Sequence, residues 1–230
     1  MKKSITVASY NIQAGFSSKH QWERLARHIL SCGADIVGLQ EVDMFTSRIG
    51  GVDALSHIAD AANMPYYAYT PAILSFDGGQ YGTAILSKFP IKEHKVIPLP
   101  SGDYEPRSCC HSLIDMDGDE LHFINTHLSV ESYKQRMVQL EFLSDIIPYG
   151  ESYFVTGDFN TDKKEDFSPV KKEDLALVNL EYAMMHTFRA TGDAIDNILY
   201  PQSKFSILDI GMEDSADSDH NLLFAKFEAK

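Results

Sequence analysis

The sequence is poor in cysteine, and this shortage argues against a disulfide-stapled secreted domain. Its 230 residues include three cysteines, Cys32, Cys109 and Cys110, an odd number of which two are adjacent. Adjacent cysteines lack the geometry of a disulfide that staples a fold, so the pattern fits a reducing compartment. A metal site on Cys109-Cys110 would need a second CxxC or a Cys/His pair at ligand spacing, which the sequence lacks. We therefore predict that both are small core residues on a strand.

Long apolar runs are also missing, because Asp, Glu, Lys or Pro interrupts every one of them. A membrane helix needs about 18 to 20 apolar residues in a row, so we predict no transmembrane segment. Lys2 and Lys3 resemble the start of a signal peptide, but Ser9, Tyr10 and Asn11 break the apolar segment that follows. We expect the mature chain to begin here and to be cytoplasmic.

Basic runs longer than two residues are absent, and the formal net charge is −13. A long nucleic-acid footprint needs Lys and Arg along the phosphate backbone, so this composition argues against one. Most of the 33 acidic residues must be solvated surface. A cluster of a few acids nevertheless suits a hard divalent cation.

The sequence does contain alternating strand and helix patterns, and we predict that they form a single domain over residues 1–230. With 44% hydrophobic residues, a chain of this length can bury a full core. Ser18 and Gln21 have capping-box spacing ahead of an amphipathic run, which predicts the first helix. Apolar faces at helical spacing predict two more, at about 54–62 and 133–147.

The second half of the chain shows hairpin and loop patterns. Asp117-Gly118 between two β-rich runs predicts a hairpin. Residues 161–175 are polar and charged, which predicts a solvated surface loop, with a helix from about 172 to 179. We interpret the acids of this loop as solvated charges: Asp162, Asp166 and Asp174.

Polar residues follow strand after strand. They are Asn11, Glu41, His127, Asp158 with Asn160, Asp196 with Asn197, and Asp219 with His220. Residues at strand ends on one rim of a layered α/β structure converge on a common cleft. Carboxylate, amide and imidazole groups together are what a metal-dependent phosphoester hydrolase requires.

The stretch Gly157-Asp158-Phe159-Asn160 is the centre of this pattern. An acid and an amide two residues apart on a strand project to the same side, so both can face one ligand. We expect Gly157 to let the backbone approach that ligand or turn sharply. Taken alone, the tetrapeptide is more typical of a simple turn than of a ligand site.

In five blocks the chain resembles the endonuclease/exonuclease/phosphatase superfamily of DNase I-like, metal-dependent phosphodiesterases and phosphatases. The blocks are Ser9-Tyr10-Asn11-Ile12, Gln40-Glu41-Val42, Asn125-Thr126-His127-Leu128, Gly157-Asp158-Phe159-Asn160 and Ser218-Asp219-His220. Segments 81–87 and 195–199 also look like family segments. Thr83 and Asn197 depart from the residues common in many members, which leaves the subfamily open.

The resemblance implies an α+β architecture, a four-layer α/β sandwich with two central sheets flanked by helices. It also implies that Glu41, with Asn11 nearby and help from Asp219, holds Mg²⁺, with Mn²⁺ as an alternative. Mg²⁺ prefers oxygen ligands and keeps several waters, which suits a small set of acids.

The resemblance further implies catalytic roles. Asp158 would orient or deprotonate the attacking water, and Asn160 would donate to the phosphate. His220 would lie against the scissile phosphate with its other nitrogen held by Asp196. His127 would bond a non-bridging oxygen or assist the leaving group.

Other residues carry two interpretations each. Tyr81 is expected to contact the phosphate, and Arg107 either does so or pairs with an acid in the fold. Arg48 is left open in the same way. Histidines outside the blocks are interpreted as surface or structural residues: His28, His57, His94 and His122.

The leading hypothesis is a Mg²⁺-dependent phosphoester hydrolase acting on a phosphorylated small molecule or a lipid head group, as a monomer. A nuclease acting on DNA or RNA ends, abasic sites or single strands is the first alternative, so nucleic acid stays open as a partner. A catalytically silent binding protein on the same fold is the second.

Overall fold

The computed structural model describes residues 4–172 and 174–230, and this part of the chain contains three α-helices and twelve strands. The helices are α1 (Trp22–Ser31), α2 (Ala54–Ala61) and α3 (Tyr133–Ile146). The strands are β1 (Ser4–Asn11), β2 (Ile36–Met44), β3 (Tyr66–Phe76), β4 (Gly79–Ser87), β5 (Ile91–Pro98), β6 (Ser108–Met116), β7 (Asp119–His127), β8 (Tyr153–Asp158), β9 (Leu175–Leu177), β10 (Asp196–Pro201), β11 (Phe205–Glu213) and β12 (Leu222–Ala229). Lys2 and Lys3, which resemble a signal-peptide start, lie outside the described residues.

The strands form two mixed sheets of six strands each. The first has the order β11-β12-β1-β2-β4-β3 and the second the order β5-β6-β7-β8-β10-β9. The pairs β1/β2 and β7/β8 are parallel, whereas the other neighbours run antiparallel. Each sheet therefore has a parallel pair near its middle, and these pairs carry Glu41, His127 and Asp158 to the cleft described below.

The two sheets pack face to face, with helices on the outside. Alternate residues of the central strands, such as Val7 and Phe154, fill the core between the sheets. On the outer faces, α1 and α2 cover the first sheet with residues such as Leu25, and α3 covers the second with residues such as Leu140. This confirms the predicted four-layer DNase I-like sandwich.

A polar contact joins the sheets close to the cleft. The side-chain amide of Asn125 on β7 donates to the carbonyl oxygens of Leu39 and Ala84, both at 2.9 Å. Its oxygen accepts from Gln40 Nε2 at 2.7 Å. Gly38 permits this approach, because a Cβ there would lie 2.4 Å from Asn125 Oδ1. Residues of two sequence blocks thus fix the spacing between the sheets.

Several local predictions are confirmed. The Asp117-Gly118 turn connects β6 and β7, and Cys109 and Cys110 are free, buried residues on β6. The predicted capping box is wrong, because Ser18 does not cap the first helix. The helix begins at Trp22, and the Ser18 hydroxyl donates instead to the carbonyl oxygen of Gly15 in the preceding turn.

The predicted helix at about 172–179 is also wrong. The segment forms β9, which pairs with β10, because Leu175, Ala176 and Leu177 are all buried and a short apolar run suits a strand. Glu173 lies outside the described residues. Asp166 is not a solvated charge, since it is 6% exposed and accepts from the Thr161 hydroxyl. Within the described ranges, no helix is both long and apolar enough to cross a membrane.

Candidate active site

The cleft lies at one edge of both sheets, where the parallel pairs end. Its volume is about 320 Å³. His127 pairs with Asp158 across β7 and β8, and Asp196 pairs with Asp158 across β10 and β8. These three residues therefore lie side by side on neighbouring strands of the second sheet. The residues that line the cleft are Glu41, Tyr81, Glu105, Arg107, His127, Val130, Asp158, Asn160, Phe188, Ile195, Asp219 and His220. Asn11 and Asp196 are buried beside the cleft. Asn11 hydrogen-bonds Asp158, and Asp196 hydrogen-bonds His220.

Glu41 reaches the cleft through a bulge and not from a strand end. The strand β2 continues past it to Met44, but its pairing with β4 shifts between Leu39 and Val42. Glu41 has φ of 54°, a left-handed conformation that a side chain seldom adopts. A bulge redirects the side chain at its extra residue. The sequence-based expectation of a strand end at Glu41 was therefore wrong, although the residue does line the cleft.

Asn11, the last residue of β1, connects an acid of the first sheet, Glu41, with an acid of the second sheet, Asp158. Its Nδ2 donates to Glu41 Oε1 and to Asp158 Oδ2, both at 3.0 Å, while its Oδ1 accepts from the Gln13 backbone N–H. Burial raises the pKa of Glu41, and the bond from Asn11 opposes this. In this orientation the amide nitrogen of Asn11 faces the two acids, and its oxygen faces the backbone of Gln13.

Asp158 ends β8 and is 2% exposed. Its Oδ1 accepts from the Asn160 backbone N–H at 3.0 Å. Burial and the nearby charge of Asp196 raise the pKa of Asp158 to about 7, against the opposing effect of His220. Asn160 lies beyond the strand with φ of 52°, and its Nδ2 donates to the carbonyl oxygen of Leu128 at 2.8 Å.

Gly157 has a different purpose from the one predicted. It lies inside β8, where a Cβ would stand 2.6 Å from the carbonyl oxygen of Thr126 on the neighbouring strand. Close pairing of β7 and β8 requires the glycine here, and the backbone runs on as a regular strand without the sharp turn.

His220 is held between two carboxylates. Its Nδ1 lies 2.8 Å from Asp196 Oδ2, and its Nε2 points toward Asp158 Oδ2 at 3.6 Å. Burial alone would lower the pKa of His220, but the charge and hydrogen bond of Asp196 together with Asp158 raise it to about 10. The ring of Phe188 packs on the imidazole at 4.9 Å between centroids. His220 is therefore an imidazolium with a fixed orientation.

His127 has the opposite electrostatic character. It is 6% exposed, and its Nε2 lies 3.5 Å from Asp158 Oδ2. Burial, followed by the charges of Arg107 and His220, holds the pKa of His127 well below its ordinary value. The cleft thus combines a neutral and a charged imidazole on either side of one acid.

Of the remaining predicted residues, two line the cleft and one has a structural role. Tyr81 and Arg107 line the cleft, and Arg107 Nη2 also pairs with Glu105 Oε1 at 3.1 Å. Arg48 belongs to the fold, since its Nε and Nη2 donate to the buried carboxylate of Asp43.

Several histidines outside the blocks have structural partners. His28 bonds Asp217, and His94 bonds Ser112. His122 bonds His111, which agrees with its interpretation as a structural residue. His57 is exposed on α2.

Sequence reasoning missed Glu105, Phe188 and Gln13. Glu105 faces Arg107, Phe188 covers His220, and Gln13 Nε2 donates to Asp219 Oδ2 at 2.9 Å. Glu105 and Phe188 lie outside the quoted blocks, and Phe188 reaches the site through an isolated bridge to His220. Gln13 lies two residues after Asn11, which was a signal that could have been used.

A hard divalent cation fits the donor set of this cleft. Glu41, Asp158 and Asp219 bring carboxylate oxygens to it, and the burial of Glu41 leaves a charge that a cation would offset. The group Asp158, Asp196 and His220 also has donor atoms within 4.8 Å of one another. In that group the short His220–Asp196 distance is accounted for by a direct hydrogen bond.

A sequence model of the endonuclease/exonuclease/phosphatase family matches residues 8–220. The chain belongs to this family. Family members are metal-dependent hydrolases of phosphoester bonds, so the chain is a hydrolase acting on that class of bond. A search among curated proteins found no match.

Solved structures of low sequence identity share the family fold. An endonuclease/exonuclease/phosphatase from Beutenbergia cavernae DSM 12333 has a TM-score of 0.83 at 20% identity, covering 99% of this chain and 72% of that one. Truncated TDP2 from Caenorhabditis elegans has a TM-score of 0.76 at 22% identity, covering 98% of each chain. A mannosyl-6-phosphatase from Bacteroides thetaiotaomicron VPI-5482 has a TM-score of 0.71 at 21% identity, covering 98% of this chain and 99% of that one.

Proposed function

We propose that this family member hydrolyses a small or exposed phosphoester by in-line attack of an activated water, with Mg²⁺ as its metal and Mn²⁺ as an alternative. The observation that carries the proposal is the meeting of Glu41, Asp158 and His220 in one cleft of about 320 Å³. A cleft of this size suits a small ligand. The net charge of −13 favours a substrate with few phosphates over long DNA.

Glu41 and Asp219 are the residues that would hold the metal. Both offer carboxylate oxygens to the cleft, and Asn11 fixes the Glu41 carboxylate by hydrogen bonding. When bound, such an ion polarises phosphoryl oxygens and offsets the charge on the leaving group. We expect Asn11 to act mainly by orienting Glu41 and Asp158, because its amide nitrogen faces both.

Asp158 would orient the attacking water and accept its proton. A pKa of about 7, raised by burial and by Asp196, suits a base that works near neutral pH. His220, held as an imidazolium by Asp196, would stabilise charge on the scissile phosphate. The side-chain amide of Asn160 donates one hydrogen to the carbonyl oxygen of Leu128, and its second hydrogen would donate to a phosphate oxygen.

Three further residues that line the cleft would bind the phosphate and the leaving group. Neutral His127 would donate to a non-bridging oxygen or assist protonation of the leaving group. Arg107 would contribute a fixed cation, since Glu105 holds one end of its guanidinium. Tyr81 would contact the same phosphate.

A phosphorylated small molecule or lipid head group is the substrate class that we propose. The name of the Bacteroides relative mentions a phosphorylated sugar, which adds support for a small phosphoester. We also propose that the protein acts in the cytoplasm as a monomer; its free cysteines are consistent with that compartment.

The test is a hydrolysis panel with purified protein and Mg²⁺. It should contain phosphomonoesters, the diester bis(p-nitrophenyl) phosphate and an abasic oligonucleotide, each with and without EDTA. We expect EDTA, Asp158→Asn and His220→Ala each to abolish hydrolysis while circular dichroism shows a folded protein. His57→Ala, at an exposed position on α2, is the matched control and should retain full activity.

Three results would change the assignment. Hydrolysis that survives Asp158→Asn or His220→Ala would overturn these roles. Cleavage of the oligonucleotide alone, with a steep loss of affinity as salt rises, would favour a nuclease. A protein that cleaves nothing would be a silent binding protein on the family fold.

A further inference from the structure

A second cavity, which we call the side pocket, adjoins the cleft. Its volume is about 230 Å³, and Tyr133, Arg136, Asp162, Lys163 and Asp193 belong to its lining. Asn160 and Ile195 line both the side pocket and the cleft. One molecule can therefore place a phosphoester in the cleft and extend across this shared wall into the side pocket.

The side pocket carries charges of both signs. Arg136 and Lys163 are hydrogen-bond donors, whereas Asp162, Asp166 and Asp193 are acceptors. A second phosphate or a polynucleotide backbone would face more carboxylates than cations there. An alkyl chain would displace water from these groups and offer them no hydrogen bond in return, which is costly. Hydroxyl groups both donate and accept, so a polyol can satisfy this mixed set.

An aromatic ring completes the recognition surface. Tyr133 is 58% exposed at the start of α3 and is the aromatic residue of the lining. The C–H face of a sugar or cyclitol ring can pack on such a side chain, whose hydroxyl remains available for hydrogen bonding. Ile195 adds apolar surface at the shared wall.

Two of the polar groups are held in place before any ligand binds. Arg136 Nη1 donates to the carbonyl oxygens of Ser129 at 3.2 Å and Val130 at 3.3 Å. Asp166 is buried and accepts from the Thr161 hydroxyl. Groups that are already ordered lose little conformational entropy on binding, which favours specific recognition.

We propose that the side pocket binds the polyol part of a phosphorylated sugar or cyclitol whose phosphoester lies in the cleft. This inference rests on the proposed function, since the phosphate is placed beside Asp158 and His220. It adds a specificity site formed by Tyr133, Arg136, Asp162 and Lys163.

The test compares polyol substrates with a polyol-free one. Hexose 6-phosphates and myo-inositol 1-phosphate form two arms, and phenyl phosphate and bis(p-nitrophenyl) phosphate form the third. We expect Tyr133→Ala and Asp162→Asn each to lower kcat/KM for the preferred polyol arm about ten-fold, mainly through KM. Their kcat/KM for the polyol-free arm should remain within about two-fold of wild type, because neither residue lies in the cleft.

Matched control variants are Tyr66→Ala and Asp60→Asn. Tyr66 is 40% exposed and pairs with Ser87 at the end of the first sheet away from Glu41, and Asp60 is exposed on α2. Neither should change either arm. Equal effects of Tyr133→Ala and Asp162→Asn on both arms, or wild-type rates with no preference for polyols, would overturn the side-pocket proposal while leaving the proposed function intact.

Binding without turnover separates the two proposals. In EDTA, isothermal titration calorimetry with myo-inositol 1-phosphate and glucose 6-phosphate should detect binding to wild type, weakened about ten-fold in Tyr133→Ala. If wild type cleaves no member of the panel but this binding difference appears, the proposed function fails and the pocket stands. If no polyol phosphate binds more tightly than phenyl phosphate, the pocket proposal is wrong.

Discussion

Replacing Asp196 with Asn tests the charge network beneath the cleft. The Asp196 carboxylate is 2.8 Å from His220 Nδ1, and both side chains are buried. An amide at this position keeps the shape but removes the negative charge. We expect the imidazole to lose its proton at neutral pH, because burial then lowers the pKa of His220 with less opposition.

The effect on stability has a defined pH window. The pKa of His220 is raised from 6.5 to about 10 in the folded protein. Protonation therefore stabilises the folded state fully below pH 6.5, and this contribution is lost as the pH rises through 10. At about 1.4 kcal/mol for each tenfold change in proton affinity, the contribution is on the order of 5 kcal/mol. Breaking a buried ion pair typically costs about 3–5 kcal/mol, which agrees with that scale.

The assay is urea unfolding of metal-free protein at pH 6 and pH 10. We expect Asp196→Asn to lower the free energy of unfolding by about 3–5 kcal/mol at pH 6 and by clearly less at pH 10. Asp60→Asn, on the surface of α2, should change neither value by more than about 0.5 kcal/mol.

Activity gives a second measurement. With Mg²⁺ and substrate, kcat of Asp196→Asn should fall about 10²- to 10⁴-fold. An equal loss of stability at both pH values, or an NMR titration showing the same His220 pKa in both proteins, would refute the reasoning.

Three further predictions follow from other contacts. Glu41→Gln should weaken Mg²⁺ binding in calorimetry at least about ten-fold and abolish hydrolysis, since one carboxylate is lost from a small donor set; unchanged affinity would place the metal elsewhere. Gly38→Ala should lower the free energy of unfolding by about 1–3 kcal/mol in urea, because the new Cβ would meet Thr156 Oγ1 at 2.1 Å; wild-type stability would show that the sheets separate easily. Wild-type kcat/KM for a small phosphoester should vary less than about three-fold between 50 and 200 mM salt, whereas a protein contacting many phosphates would lose far more.

The fold was predictable mainly because local patterns agreed with the family resemblance. The Asp117-Gly118 turn and the apolar faces of the helices are local signals, and the structure confirms them. The segment at Leu175–Leu177 was misread because charged neighbours dominated its composition, while its pairing with β10 depends on residues far along the chain. Long-range pairing of that kind leaves little trace in a short sequence window.

The site was predictable as a set of residues but not as a set of contacts. Sequence order identified Glu41, although the bulge that carries it depends on the register of β4, which no local pattern specifies. Asn125 lies inside a recognised block, yet its contact with Gln40 joins two different sheets, and no local pattern specifies such a contact. Phe188 belongs to no motif, and only the tertiary fold brings its ring onto His220.

The bulge at Glu41 also limits how heat-stable this protein can become while it stays active. A left-handed backbone at a residue with a side chain costs about 1–3 kcal/mol, and the burial of its carboxylate adds to that cost. Glycine or asparagine at this position would relieve the backbone, so an inactivated Glu41→Gly protein should melt at a higher temperature than the wild type. Selection for thermostability alone would therefore favour losing this acid. Engineering for heat tolerance must screen for turnover at the same time and seek its gains in the outer helices, away from β2.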